Sequence, residues 1–151
     1  MIRPLHDWIA ALIVFAIAMT IGFSCQPAHA SINEVSAIRA ILGESRGDGY
    51  DGLYATACAL RNRGTLRGVY GLRADISNVS GELYQTASRA WAVSEDGFDV
   101  TLGADHWLSD YDITHQRHVW KKWIHQFEKT VKIGHTTYYK KKYIDLKTKK
   151  E

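Results

Sequence analysis

Glu44 stands in Gly43-Glu44-Ser45-Arg46-Gly47, a run in which one carboxylate is flanked by small residues. Upstream, Ile32, Val35, Ile38, Ile41 and Leu42 recur at helical spacing, which places the glutamate in the last turn of a predicted helix. A carboxylate there sits near the negative end of the helix dipole, which disfavours its ionised form. Such a group is better suited to handing over a proton than to serving as a structural ion. Ala37 and Ala40 precede Glu44 on the same side of the helix, so a bulky ligand has room to approach. Ser45 can hydrogen-bond a ligand, Glu44 itself or the local backbone.

Other residue types that carry chemistry are scattered. Asp48, Asp51 and Asp105 are possible second carboxylates, with Asp51 equally readable as a helix cap. Five histidines lie between His106 and His135. His115-x-x-His118 is not the His-Glu-x-x-His metal motif, and a catalytic zinc needs three protein ligands with an open position, so no metal or other cofactor is expected. Cys58 is the only cysteine after residue 30, which excludes a disulfide framework in a monomer. No glycine-rich phosphate loop, nucleophile elbow or aromatic-basic nucleic-acid pattern is present.

The elements that must position Glu44 follow from periodicity and caps. Ser31-Ile32-Asn33-Glu34 has the form of a capping box and predicts the first helix start. Asp51 to Gly64 reads as a second helix, capped by Asp51, rich in alanine and stopped by Gly64. Residues 65–79 form a long polar loop, a length that usually signals function or disorder. Ser80 caps a predicted third helix through Ser94. Gly103 to Leu108 reads as extended chain, and Ser109 to His115 as a loop. Val119, Trp120, Trp123, Ile124 and Phe127 recur at helical spacing, predicting an amphipathic helix over 118–129. Val131, Ile133, His135, Thr137 and Tyr139 alternate, predicting a strand that pairs with the Leu102 to Trp107 segment.

Ile41-Leu42-Gly43-Glu44-Ser45-Arg46-Gly47-Asp48, then Tyr50-Asp51-Gly52, then an alanine-rich helix ending Asn62-Arg63, resembles the cell wall hydrolase family typified by the spore-cortex-lytic enzymes. Gly103-Ala104-Asp105-His106-Trp107 resembles that family's Gly-Ala-x-His/Tyr-aromatic segment. Ile133-Gly134-His135-Thr136-Thr137-Tyr138-Tyr139 resembles its closing strand. The resemblance spans roughly Ala37 to Lys140. It departs from the family where a Phe-Ser-Trp-like element is missing from residues 65–79, and where Ser109-Asp110-Tyr111-Asp112 replaces Asn-Pro. Glu44-Ser45 also resembles the Glu-Ser pair of the wider lysozyme-like lytic transglycosylases.

The resemblance implies an α+β fold, mostly α-helical and lysozyme-like, with a small β-sheet beside a cleft. It implies that Glu44 is the catalytic acid in cleaving peptidoglycan glycan strands, without a cofactor. A hydrolase would need a second carboxylate. A lytic transglycosylase uses one glutamate twice, as acid and then as base, and leaves a 1,6-anhydro-muramic acid end. The substrate contacts expected beside it are Ser45, Asn62, His106, Trp107 and one of Tyr138 and Tyr139, which point to opposite faces of a strand. A hydrolytic muramidase and a non-enzymatic peptidoglycan-binding envelope module are the alternatives. A zinc amidase is disfavoured by the histidine spacing.

Composition fits this frame without deciding it. Five Trp and eight Tyr suit stacking on sugar faces, and equally suit a small core. Residues 1–30 read as a signal peptide: Arg3, an apolar run over 8–23 and a small-x-small site ending at Ala30. That run is shorter than the roughly 20 residues of a spanning helix, so an uncleaved anchor over 8–23 is the lesser alternative. The periplasm or the cell surface is the expected location. The whole chain has 19 basic and 16 acidic residues and a charge of +3. Arg3 and Asp7 cancel, so the portion from residue 31 keeps that charge. The domain is placed at 31–140, acting as a monomer, and residues 141–151 form a basic tail. From Lys140 onward there are six lysines, suited to peripheral contact with anionic wall polymers or membrane.

Overall fold

The computed structural model describes residues 32–116 and 120–142. The expected signal segment, residues 143–151 of the tail, and Ser31 lie outside the described residues. Helix α1 runs Glu34–Ser45 and is capped by Asn33, whose side chain accepts from the Ser36 amide at 3.2 Å. The cap is therefore Asn33 rather than Ser31. Helix α2 runs Gly49–Arg63, beginning two residues before the expected Asp51, which lies in its first turn. Gly64 ends it at φ 66, donating its amide to the carbonyls of Leu60 and Arg61, as a left-handed glycine cap does. Helix α3 runs Gly81–Val93, with the Ser80 side chain accepting from Leu83.

These three helices build the main core. Ala37, Ile38, Ile41 and Leu42 of α1 pack with Leu53, Ala57 and Leu60 of α2 and with Ala87, Ala90 and Trp91 of α3. The alanines let the axes approach closely while the branched residues fill the remaining space. Arg61 fastens α2 to the end of α3 by lying 3.9 Å over the Trp91 ring and bonding Ser94 and Glu95.

The expected loop over 65–79 contains a 3₁₀ turn, Tyr70–Arg73, which rests on α1. Strand β1, His106–Ser109, is followed without a break by helix α4, Asp110–His115, where a loop was expected. Ser109 and Asp112 form a reciprocal capping box, so the side-chain chemistry at Ser109 starts a helix despite its short length.

From Lys121 to Lys129 the chain does not form the amphipathic helix expected over 118–129. Ile124–Gln126 is a 3₁₀ turn, and Phe127–Ile133 is strand β2; His118 and Val119 lie outside the described residues. The expected single strand over 131–139 is instead a hairpin. Gly134, at φ 57, opens a two-residue turn into strand β3, Thr136–Lys141. That turn position needs a residue free to take positive φ. The antiparallel sheet has the order β1-β3-β2, with Trp107 opposite Tyr138 and His106 opposite Tyr139.

An irregularity between Lys129 and Val131 shifts the β2 register. Without it, Phe127 and Val131 would share a face. With it, Val131 and Ile133 join Tyr138, Ala55 and Ala59 in a second core between the sheet and α2, while Phe127 turns to the opposite face against His106. The bulge gives β2 an apolar side chain on each face.

Candidate active site

A cavity of about 670 Å³ opens where the end of α1, the end of α2, the 65–73 segment and β1 meet. This volume suits a small ligand or a few sugar units. Glu44 lines it, from the last turn of α1 as expected. Its Oε1 accepts from the Gly71 amide at 2.5 Å, and its Oε2 accepts from Trp107 Nε1 at 3.0 Å. Both oxygens are thus fixed, one by the 3₁₀ turn and one by β1.

The 3₁₀ turn reaches Glu44 because two glycines allow it. A Cβ at Gly71 would lie 2.5 Å from the Ala40 carbonyl oxygen and 2.7 Å from Glu44 Cγ. A Cβ at Gly43 would collide with the Gly71 carbonyl. The backbone of the turn lies directly on α1, so its amide can reach the carboxylate.

His106 and Trp107 both line the cavity. Trp107 packs against both cores and presents only its ring edge to Glu44. His106 Nδ1 lies 2.9 Å from Asp105 Oδ1, which fixes the ring in the cavity wall. Its ring meets Phe127 at 4.3 Å and Trp123 at 6.0 Å, and Trp123 stands edge-on to Phe127 at 5.0 Å. Trp120, Trp123 and Phe127 line the same cavity, with Tyr70 from the 3₁₀ segment. The Trp123 and Phe127 spacing that suggested a helical core stripe therefore belongs to a partly exposed aromatic wall.

The other expected contacts are placed elsewhere. Ser45 is buried, and its hydroxyl pairs with Thr56 Oγ1, which pairs in turn with Tyr138 at 3.0 Å. This chain ties α1, α2 and β3 together behind Glu44. Burial pushes the Tyr138 hydroxyl up to about 12, against the lowering effect of the Thr56 bond. Tyr139 is half-buried, and burial raises its pKa as well. Neither tyrosine is among the residues that line the cavity. Asn62 also stands apart from it: its amide donates to Asp99 Oδ2, Thr101 Oγ1 and Ala104 O. It holds the loop that contains Leu102 at φ 58, a strained conformation for a branched side chain.

Two of the possible second carboxylates, Asp48 and Asp105, are engaged in structure. Asp48 accepts from the His135 amide and from Thr136 Oγ1, holding the hairpin turn onto the start of α2. Asp51 is exposed in the first turn of α2. Asp105 orients His106. Asp112 does line the cavity, although its Oδ2 accepts from Ser109 Oγ at 2.7 Å within the α4 cap.

Sequence reasoning missed Gly71 as a partner of Glu44, and Arg63 and Asp112 as residues of the cavity wall. Arg63 had a signal, since it closes the Asn62-Arg63 motif at the cavity end of α2. Gly71 had none, because its role is a backbone amide brought near by tertiary packing. Among the described residues no three His, Cys, Asp or Glu side chains converge as metal ligands would.

An α+β domain with a glutamate in the last turn of a helix, facing a cleft walled by a small sheet, has the form of a lysozyme-like catalytic domain. Two solved structures share the fold. The catalytic domain of the germination-specific lytic transglycosylase SleB from Bacillus anthracis is 25% identical, with a TM-score of 0.50 over 76% of this chain and 100% of that one. The catalytic domain of the Bacillus cereus SleB protein is 24% identical, with a TM-score of 0.53 over 78% of this chain and 100% of that one. No protein-family model and no curated protein sequence matches the chain. The resemblance to the spore-cortex-lytic enzymes and the α+β lysozyme-like fold are both borne out.

Proposed function

We propose that this chain cleaves the glycan strands of peptidoglycan by lytic transglycosylation, with Glu44 as the acid and then the base. The observation that carries the reading is the fixed Glu44 carboxylate in the cavity wall, together with the likeness to the Bacillus anthracis lytic transglycosylase domain. In the first step Glu44 gives its proton to the glycosidic oxygen as the bond to the muramic acid C1 breaks. The carboxylate left behind is held by the Gly71 and Trp107 N–H donors, which strengthen on an anion. In the second step it takes the proton of the C6 hydroxyl as that oxygen closes on C1. The ring product is 1,6-anhydromuramic acid, and no water is consumed.

Hydrolysis is the second reading, and Asp112 favours it because it lines the same cavity. Its engagement in the α4 cap supports transglycosylation as the first. Mass spectrometry of digested sacculi separates the two: anhydro ends, lighter by one water, are expected, and reducing ends would leave only the hydrolase.

Residues 1–30 we read as an export signal cleaved after Ala30, so the exported protein should begin at Ser31. A start at Met1 in membrane fractions would favour the anchored alternative. No helix among the described residues is long and apolar enough to cross a membrane. The basic tail we assign to peripheral attraction by anionic wall polymers or membrane. Its deletion should weaken wall association at low salt and have little effect once salt screens the charges.

A further inference from the structure

Arg63 is a half-buried cation in the cavity wall with little in the protein to answer it. Its Nη2 donates to the Arg67 carbonyl at 2.7 Å. Gly68 presses against it, since a Cβ there would come within 3.3 Å of Nη2, and the Trp107 ring centre lies 5.8 Å from its Cζ. These contacts fix the guanidinium in place. Among the described residues no carboxylate lies within ion-pair distance of Arg63, whereas Arg61, also partly buried, pairs with Glu95 at 3.3 Å. Burial lowers its pKa, and the more distant Asp105 and Glu44 offset this only in part. A guanidinium carries a rigid fork of donors matched to a carboxylate.

We infer that Arg63 is a specificity-determining residue that binds a carboxylate on the substrate, in the same cavity as the bond whose oxygen Glu44 protonates. This rests on the peptidoglycan reading proposed above. Peptidoglycan has two sources of such a group. One is the lactyl carboxylate of muramic acid where the peptide has been removed, and the other is a carboxylate of the stem peptide. A neutral sugar polymer has neither. The aromatic wall of Trp123 and Phe127 takes sugar faces without regard to charge, so selection by charge falls to Arg63.

The test uses ligands that hold no bond to cut, so it is independent of turnover. The full chain is titrated with N-acetylmuramic acid, with its uncharged methyl ester and with N-acetylmuramyl dipeptide, followed by NMR chemical shifts. A charged ligand is expected to bind roughly tenfold tighter than the ester, as a charge-assisted bond at a partly desolvated site allows. The preference should fade with salt. If N-acetylmuramic acid is the tighter ligand, the lactyl carboxylate is the group bound; if the dipeptide is, the stem carboxylate is. Arg63→Gln should abolish the preference for charge, and Arg63→Lys should keep part of it. Equal binding of all three ligands by the wild type would overturn the inference, even where the variants do not fold. So would an Arg63→Gln protein that still prefers the charged ligand. Failure of cleavage with the preference intact would instead count against the Glu44 reading alone.

Discussion

Gly43 and Gly71 meet backbone to backbone, and this contact sets the distance between the 3₁₀ turn and Glu44. The two positions act as one joint. Gly71→Ala and Gly43→Ala should each force the turn away from α1, at a cost of about 1–3 kcal/mol for overpacking. Each should lower activity by more than the lost stability explains, because the Gly71 amide leaves the carboxylate. The double variant should cost less than the sum of the two, since the first substitution already separates the surfaces. Thermal unfolding and turnover of the three proteins test this; strict additivity would refute a shared contact.

Trp107 has two separable roles, filling space between the cores and donating to Glu44. Trp107→Phe keeps most of the first and removes the second. Turnover should fall about tenfold or more, as expected for losing a hydrogen bond to a charged group. Stability should fall by only about 1–2 kcal/mol for the lost ring volume. Full activity in the Phe variant would mean that Glu44 needs only the Gly71 amide.

The Asp99 loop predicts a dependence of stability on acid. Burial pushes the Asp99 carboxyl up, but bonds from Thr101, Asn62 and the Gly103 amide outweigh it, and the net shift is down. A carboxylate with a depressed folded-state pKa contributes stability that is present above its unfolded value, about 3.9, and is lost as pH falls through the folded value. Asp99→Asn should therefore be less stable than the wild type near neutrality, with the gap closing below about pH 4. Denaturant melts across that range measure it, and a gap independent of pH would mean that geometry alone holds the loop.

The three long helices were legible in the sequence because their signals are local: periodic apolar residues, the Ser80 cap and the Gly64 stop. The small sheet was harder. Val131 to Tyr139 alternates straight through Gly134, so a hairpin looks like one strand unless the glycine is given its turn role. Trp120, Trp123 and Phe127 repeat as a helix would, yet a turn and a bulge fold them into a wall. The α4 capping box at Ser109 and Asp112 was present and went unused. Glu44 itself stood out by its neighbours, but its partners did not. Gly71 is 27 residues away and Trp107 63, and only packing brings an amide and an indole to the same carboxylate. Ser45, Asn62 and Tyr138 were drawn into the expected site by nearness to the motifs, whereas their polar atoms hold the scaffold behind it.

Glu44→Gln is the decisive substitution. The amide keeps the size of the side chain, and its carbonyl oxygen can still accept from one of the two N–H donors. The second site is then occupied by an NH₂ facing another donor, which costs about 1–3 kcal/mol locally and leaves the three-helix core untouched. The fold should survive, as unfolding curves and amide spectra would establish. Under the proposed mechanism turnover should fall by at least about 10²–10⁴-fold, because the variant would lose both the proton for the leaving oxygen and the base for the C6 hydroxyl. Glu44→Asp should retain the carboxylic acid but withdraw it from Gly71 and Trp107, giving a partial loss with the same anhydro products. A folded Glu44→Gln protein with undiminished cleavage would remove this residue from the chemistry, and the transglycosylase reading would go with it.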